Sequence, residues 1–197
     1  NSVALQAGFT TKKGLDLLRK ISSYTDIPVY VMGYANTFYV QGIKSFLTRL
    51  KKSGAAGVIV PDLPPGYDEG LYSAAREAGL DAMPVIIAGT GEKRLNDILS
   101  VKPEYIYVAL RRGITGKESK IGPEQQDFLE RLGSKGVKVL GGFGVQNYRI
   151  AREVNNHAYG AIVGSEIVRT IDRALEQKMD MYTIVKGKAE ELVYGRK

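Results

Sequence analysis

Val139-Leu140-Gly141-Gly142-Phe143-Gly144-Val145 and, after a short polar segment, Ala161-Ile162-Val163-Gly164-Ser165-Glu166-Ile167-Val168 are the two passages whose reading decides the fold. In each, a short apolar run stops at glycine: residues 137–140 at Gly141-Gly142, and residues 161–163 at Gly164. A buried parallel strand that ends in a glycine turn and hands on to a helix reads this way. Glycine lets backbone N–H groups come close to a ligand, and a helix N-terminus adds partial positive charge. Two such turns on neighbouring strands hold a phosphate dianion between them. The last two strands of a (β/α)8 barrel make such a site in many enzymes. The plainer alternative is that these glycines permit tight turns and nothing more.

Upstream, the same alternation repeats. Strands are expected at 27–33, 57–60, 83–87, 105–110, 137–140 and 160–163, each followed by a helix. The helices are expected at 41–53, 67–78, 92–101, 123–133, 147–154 and 165–177, with one more at 180–194. The clearest is 41–53, where Ile43, Phe46, Leu47 and Leu50 fall on one face. Before the first strand, Phe9-Thr10-Thr11 caps a helix over 12–23, and residues 1–8 read as the back half of another helix closed by Gly8. Alternating strands and helices give an α/β fold with a parallel sheet and right-handed crossovers. An open doubly wound sheet suits six units; a closed barrel has eight, in about 250 residues. If the phosphate turns belong to the last two strands of a barrel, the first two strands are the ones not accounted for. The expectation is therefore a TIM (β/α)8 barrel with about six βα units in this chain, residues 1–197 forming a single barrel domain without its first two units. A dinucleotide-binding reading fails, because residues 142–147 lack the third glycine and come late in the chain.

Composition narrows the chemistry. There is no cysteine among the 197 residues, so disulfides, thiolate catalysis and cysteine metal sites are out. The single histidine, His157, is expected in a polar, solvated connection, and one histidine builds no multi-histidine zinc site. No metal is expected. No run of about 18 apolar residues occurs, so no membrane span is expected, and the absence of an export signal with the absence of cysteine fits the cytoplasm. The net charge of +7 suits an anionic small molecule; the basic residues are too scattered for a nucleic-acid surface.

Functional residues should follow the strands, at the C-terminal mouth of the barrel. The candidates are Tyr34-Ala35-Asn36, Asp62-Leu63-Pro64, Gly89-Thr90-Gly91, the loop 111–116, residues 142–144 and Gly164-Ser165. Ser165 is first of all expected to be an N-cap. The Arg111-Arg112-Gly113-Ile114-Thr115-Gly116 loop is long enough to be a lid, or a mobile surface loop.

These motifs together resemble the alpha subunit of tryptophan synthase. The resemblance runs the length of the chain through Ala7-Gly8-Phe9-Thr10, Tyr34-Ala35-Asn36, Pro61-Asp62-Leu63-Pro64, the 111–116 loop, Gly141-Gly142-Phe143-Gly144-Val145 and Val163-Gly164-Ser165-Glu166-Ile167-Val168. It implies a lyase of tryptophan biosynthesis that cleaves indole-3-glycerol phosphate to indole and glyceraldehyde 3-phosphate. It also implies a heterotetramer in which a beta subunit, carrying pyridoxal phosphate, receives the indole. No cofactor is implied for the alpha subunit. By position, Gly116, Gly142, Gly144, Gly164 and Ser165 would hold the phosphate. Met32, Tyr107 and Phe143 would line the indole pocket, and Thr115 would close the lid. Tyr34, Asp62 and Pro64 would face the beta subunit.

Two departures stand out. The catalytic glutamate and aspartate of the family match positions upstream of Asn1, so no catalytic residue is expected within this chain, which alone would be inactive. Leu110 and Arg112 occupy lid positions where small residues are usual. Two alternatives stay open: another phosphosugar barrel, in which Lys138 would be the Schiff-base lysine of an aldolase, or an inactive phosphate-binding module that activates a partner.

Overall fold

The computed structural model describes residues 4, 6–110, 121–142 and 144–195. In chain order the elements are α1 (Thr11–Tyr24), β1 (Tyr30–Met32), α2 (Ala35–Gln41), α3 (Ile43–Lys52), β2 (Gly57–Ile59), α4 (Leu71–Glu77), β3 (Asp81–Met83), β4 (Val85–Ile87) and α5 (Glu92–Ser100). There follow β5 (Tyr105–Ala109), α6 (Pro123–Gly133), β6 (Lys138–Gly142), α7 (Tyr148–His157), β7 (Gly160–Ala161), α8 (Ser165–Glu176) and α9 (Met181–Tyr194). The chain forms two compact units, Asn1–Pro84 with Lys93–Glu104, and Val85–Glu92 with Tyr105–Lys197.

The first unit carries a parallel sheet in the order β1-β2-β3. Helix α3 buries Phe46, Leu47 and Leu50, the stripe its spacing predicts. Phe38 of α2 meets Phe46 edge-on, ring centroids 5.1 Å apart. Each such fully buried side chain contributes about 1.5–3 kcal/mol relative to exposure. Gly57 has a specific reason to be glycine: a Cβ there would lie 2.3 Å from the Tyr30 ring. The bare position lets Tyr30 cross β2 and donate its hydroxyl to Asp81 Oδ2 at 3.0 Å. Asp81 Oδ1 accepts from the Glu104 N–H at 3.1 Å. Burial raises the Asp81 pKa, and the Glu104 and Tyr30 hydrogen bonds only partly oppose it.

The second unit carries a parallel sheet in the order β4-β5-β6-β7. Its core holds Ile106, Val108, Leu129, Leu132, Val139, Ile150 and Val154, each at most 1 % exposed. Helix α7 is capped by Asn147, whose side chain accepts from the Ile150 N–H. His157 ends α7 and does not sit in a solvated connection. Its Nδ1 lies 2.6 Å from Glu130 Oε1 on α6.

The structure departs from the sequence reading at several places, each with a cause. The strand expected over 83–87 is divided: β3 pairs with β2 and β4 pairs with β5. Pro84 between them has no N–H to give to a ladder. Among the described residues there are thus seven strand segments in place of six. The helix expected from residue 67 starts only at Leu71, because Glu69 and Gly70 have φ of 46° and 81°. Tyr34-Ala35-Asn36 leads not into a loop but into α2. That helix is rich in poor helix formers and gains support from burying Ala35 and Phe38.

Candidate phosphate site

The first surprise at the site lies in the glycines that opened the sequence reading. Gly141 and Gly142 are not a turn; they are the last two residues of β6. Gly141 pairs with Val108 and Ala161, and Gly142 with Ala109. Alternation then sends them to opposite faces. A Cβ on Gly141 would stand 2.7 Å from Val154 Cγ1, so this glycine lets α7 close on the sheet. A Cβ on Gly142 would stand 2.6 Å from the Tyr107 ring, so this one admits Tyr107 across the other face. Tyr107 is 9 % exposed, and burial pushes its phenol up to about 12, so it stays neutral and able to donate. The turn itself comes at Gly144, whose φ of 93° favours glycine.

Beside this, β7 pairs with β6, and the Ile162 N–H donates to Gly141 O at 2.8 Å. Parallel pairing therefore brings the end of β6 and the start of α8 to the same end of the sheet. Gly164 is the N-cap of α8, and Ser165 is the first helical residue rather than the cap. Among the described residues no side chain caps this helix. By contrast Thr10, Asn147 and Asp180 cap α1, α7 and α9 with their own oxygens. Gly164 is exposed, and a Cβ there would meet nothing within 4 Å. The first turn of α8 thus offers N–H groups and the positive end of a 12-residue helix. Gly142, Gly144, Gly164 and Ser165 gather here; Gly116, Thr115, Phe143 and Arg112 lie outside the described residues.

The mouth of the first unit is built differently. Met32 ends β1 and is exposed, as is Tyr34, the N-cap residue of α2. Asp62 follows β2, and its Oδ1 accepts the Ala35 N–H at 2.9 Å. Pro64 lies half-buried in the same rigid loop. Asp62 is thus engaged in holding the start of α2.

Lys138, the lysine of the aldolase alternative, opens β6 at its N-terminal end. Its ammonium stands 4.9 Å and 5.4 Å from the ring centroids of Tyr105 and Tyr159. That is the end of the sheet away from the glycines. A cleft of about 490 Å³ opens between α8 and α9, lined in part by Thr170, Arg173, Met179 and Lys188, and it involves none of the expected site residues. Among the described residues no group of three or more histidines, aspartates and glutamates is placed to hold a metal, and no helix is long and apolar enough to cross a membrane.

Sequence reasoning missed one functional-looking cluster. Glu166, in the first turn of α8, is ringed by Arg169, Arg173 and Lys188. The i,i+3 spacing of Glu166 and Arg169 was readable; the approach of Lys188 from α9 was not.

The chain is similar to known proteins in sequence and in fold. The family model for the tryptophan synthase alpha chain matches residues 1–194. The tryptophan synthase alpha chain of Methanocaldococcus jannaschii is 30 % identical over 176 residues, covering 88 % of this chain and 63 % of the relative. That of Methanothermobacter thermautotrophicus is 31 % identical over 172 residues, covering 85 % of this chain and 63 % of the relative. The chain therefore spans less than two thirds of the length of these relatives. Among solved structures, the tryptophan synthase α2β2 complex of Pyrococcus furiosus matches with a TM-score of 0.84 and 28 % identity, over 96 % of this chain and 76 % of that one. The alpha chain from Legionella pneumophila matches with a TM-score of 0.83 and 25 % identity, over 96 % and 70 %. The fold class is the α/β, (β/α)8-barrel class expected from the sequence.

Proposed function

Because this chain belongs to the tryptophan synthase alpha chain family, we propose that it supplies the phosphate grip of a carbon–carbon lyase acting on indole-3-glycerol phosphate. The observation that carries this reading is the glycine-capped first turn of α8 beside the glycine-ended strand β6. N–H groups that no described side chain caps, at a positive helix end, suit a dianion better than any neutral ligand. Gly142, Gly144, Gly164 and Ser165, together with Gly116, hold the phosphate. Tyr107 and Phe143 line the indole side, and Thr115 assists closure.

Retro-aldol cleavage to indole and glyceraldehyde 3-phosphate needs an acid to tautomerise the indole and a base to deprotonate the glycerol hydroxyl. Carboxylates tuned apart in pKa perform such work. Asp62 is committed to the Ala35 N–H, and Asp81 begins β3 at the end of its strand opposite the mouth. On the resemblance to the family, we assign the catalytic glutamate and aspartate to positions upstream of Asn1, and the chain by itself is expected to bind without turnover. The subunit works in the cytoplasm without a cofactor of its own. Tyr34, Asp62 and Pro64 face a beta subunit that carries pyridoxal phosphate and takes up the indole.

Calorimetric titration with glycerol 3-phosphate tests the grip, and an indole-release assay tests the division of labour. The expected result is saturable binding with no indole formed. Indole release by the 197 residues would refute the assignment of the catalytic pair, and absence of binding would refute the phosphate site.

A further inference from the structure

A carboxylate one residue beyond Ser165 is an awkward neighbour for a phosphate grip, since like charges repel. Glu166 is nevertheless there, with its side chain only 12 % exposed. Both of its oxygens are engaged. Oε2 accepts from Arg169 Nε at 3.2 Å and Nη2 at 2.7 Å. Oε1 lies 3.1 Å from Lys188 Nζ and 3.4 Å from Arg173 Nη2. Lys188, 14 % exposed, also holds Glu191 Oε2 at 3.0 Å. Three cations thus surround two carboxylates. Burial alone would raise the Glu166 pKa; the hydrogen bonds from Arg169 and Lys188 more than reverse this, and the group stays ionised.

Helical side chains lean toward the N-terminus of their helix, so this pair sits alongside the first turn of α8. Arg169 and Arg173 belong to α8 itself; Lys188 alone brings in a second element, α9. The backbone of Glu166 is held as well, its carbonyl accepting from Thr170 Oγ1 at 2.9 Å.

We propose that Glu166 is a positioning residue for phosphate binding: the Glu166–Lys188 tie between α8 and α9 fixes the direction of the Gly164–Ser165 amides. The inference rests on the phosphate-site reading above and adds what holds that site in place. Direct electrostatics and positioning predict opposite signs for Glu166→Gln. Removing a negative charge beside a phosphate tightens binding if charge alone matters. It weakens binding if the tie aims the amides, because the isosteric amide turns an NH2 either toward Arg169 or toward Lys188 and Arg173.

The test is titration of the 197-residue chain and its variants with glycerol 3-phosphate, with circular dichroism and thermal melting run alongside. Expected are roughly tenfold weaker binding in Glu166→Gln and in Lys188→Met, near-normal binding in Lys188→Arg, and a double variant no worse than either single one. Should Lys188→Met not fold, Lys188→Ala takes its place with the same expected weakening. Melting temperatures that fall while affinities stay at the wild-type value, or tighter binding in Glu166→Gln, overturn the proposal and leave the phosphate site standing. A wild-type chain that fails to bind glycerol 3-phosphate overturns both.

Discussion

The two units solve the same local problem in opposite ways. Both present the C-terminal ends of parallel strands, and at both a helix begins there with N–H groups to satisfy. In the first unit the protein satisfies one itself: Asp62 reaches from the loop after β2 to the Ala35 N–H of α2. In the second, the cap is Gly164, no side chain among the described residues closes the first turn of α8, and the Glu166 carboxylate is turned to cations. A helix start closed by its own protein is a joint; one left to an outside acceptor is a binding site. The contrast separates Asp62 from the glycines more sharply than motif membership did.

The largest effect should come from making the second mouth resemble the first. Gly164→Asp places a carboxylate at an N-cap position whose Cβ has open space. It should stabilise the fold by roughly a few tenths of a kcal/mol while lowering glycerol 3-phosphate affinity by roughly a hundredfold or more. Thermal melts and titration of the same sample check both signs at once. Next comes Gly142→Ala. Its methyl group, 2.6 Å from Tyr107, should displace that ring and destabilise the second unit by about 1–3 kcal/mol in denaturant melts. The converse change in the first unit, Asp62→Ala, should cost about 1 kcal/mol of stability. Glycerol 3-phosphate affinity should be untouched, and any marked loss of it would blur the contrast.

The smallest effect concerns Asp81, at the other end of the first sheet. Its folded pKa is raised, so the native state binds the extra proton over the acid range above the ordinary aspartate value. Stability contributed by that proton is present at low pH and is lost as pH rises through the folded pKa. Asp81→Asn should remove this fall, with melting temperatures followed between about pH 3 and 7 covering the window around the ordinary aspartate pKa.

Much of this was legible in the chain. The buried stripe of α3 and the Thr10 cap follow from spacing and side-chain chemistry, whereas Asn147, expected as the first residue of its helix, is its cap. Four of the phosphate candidates gather at one end of one sheet. What sequence periodicity cannot carry is contact between distant elements. Gly141-Gly142 looked like a turn because glycine ends strands so often; only the Val154 and Tyr107 contacts reveal two glycines kept small inside a strand. His157 looked solvated because its partner, Glu130, lies on another helix. Glu166 passed unremarked for the same reason, since Lys188 reaches it from α9. The division of the 83–87 strand was readable at Pro84, yet periodicity outweighed the missing donor.

Amide chemical shifts during a glycerol 3-phosphate titration compare the two mouths in one sample. Shifts that saturate at Gly144, Ser165 and Glu166 while Ala35 stays still are the predicted result. Ala35 moving with them, or no residue of the α8 first turn moving at all, would contradict the claim that this helix start was left open for a phosphate.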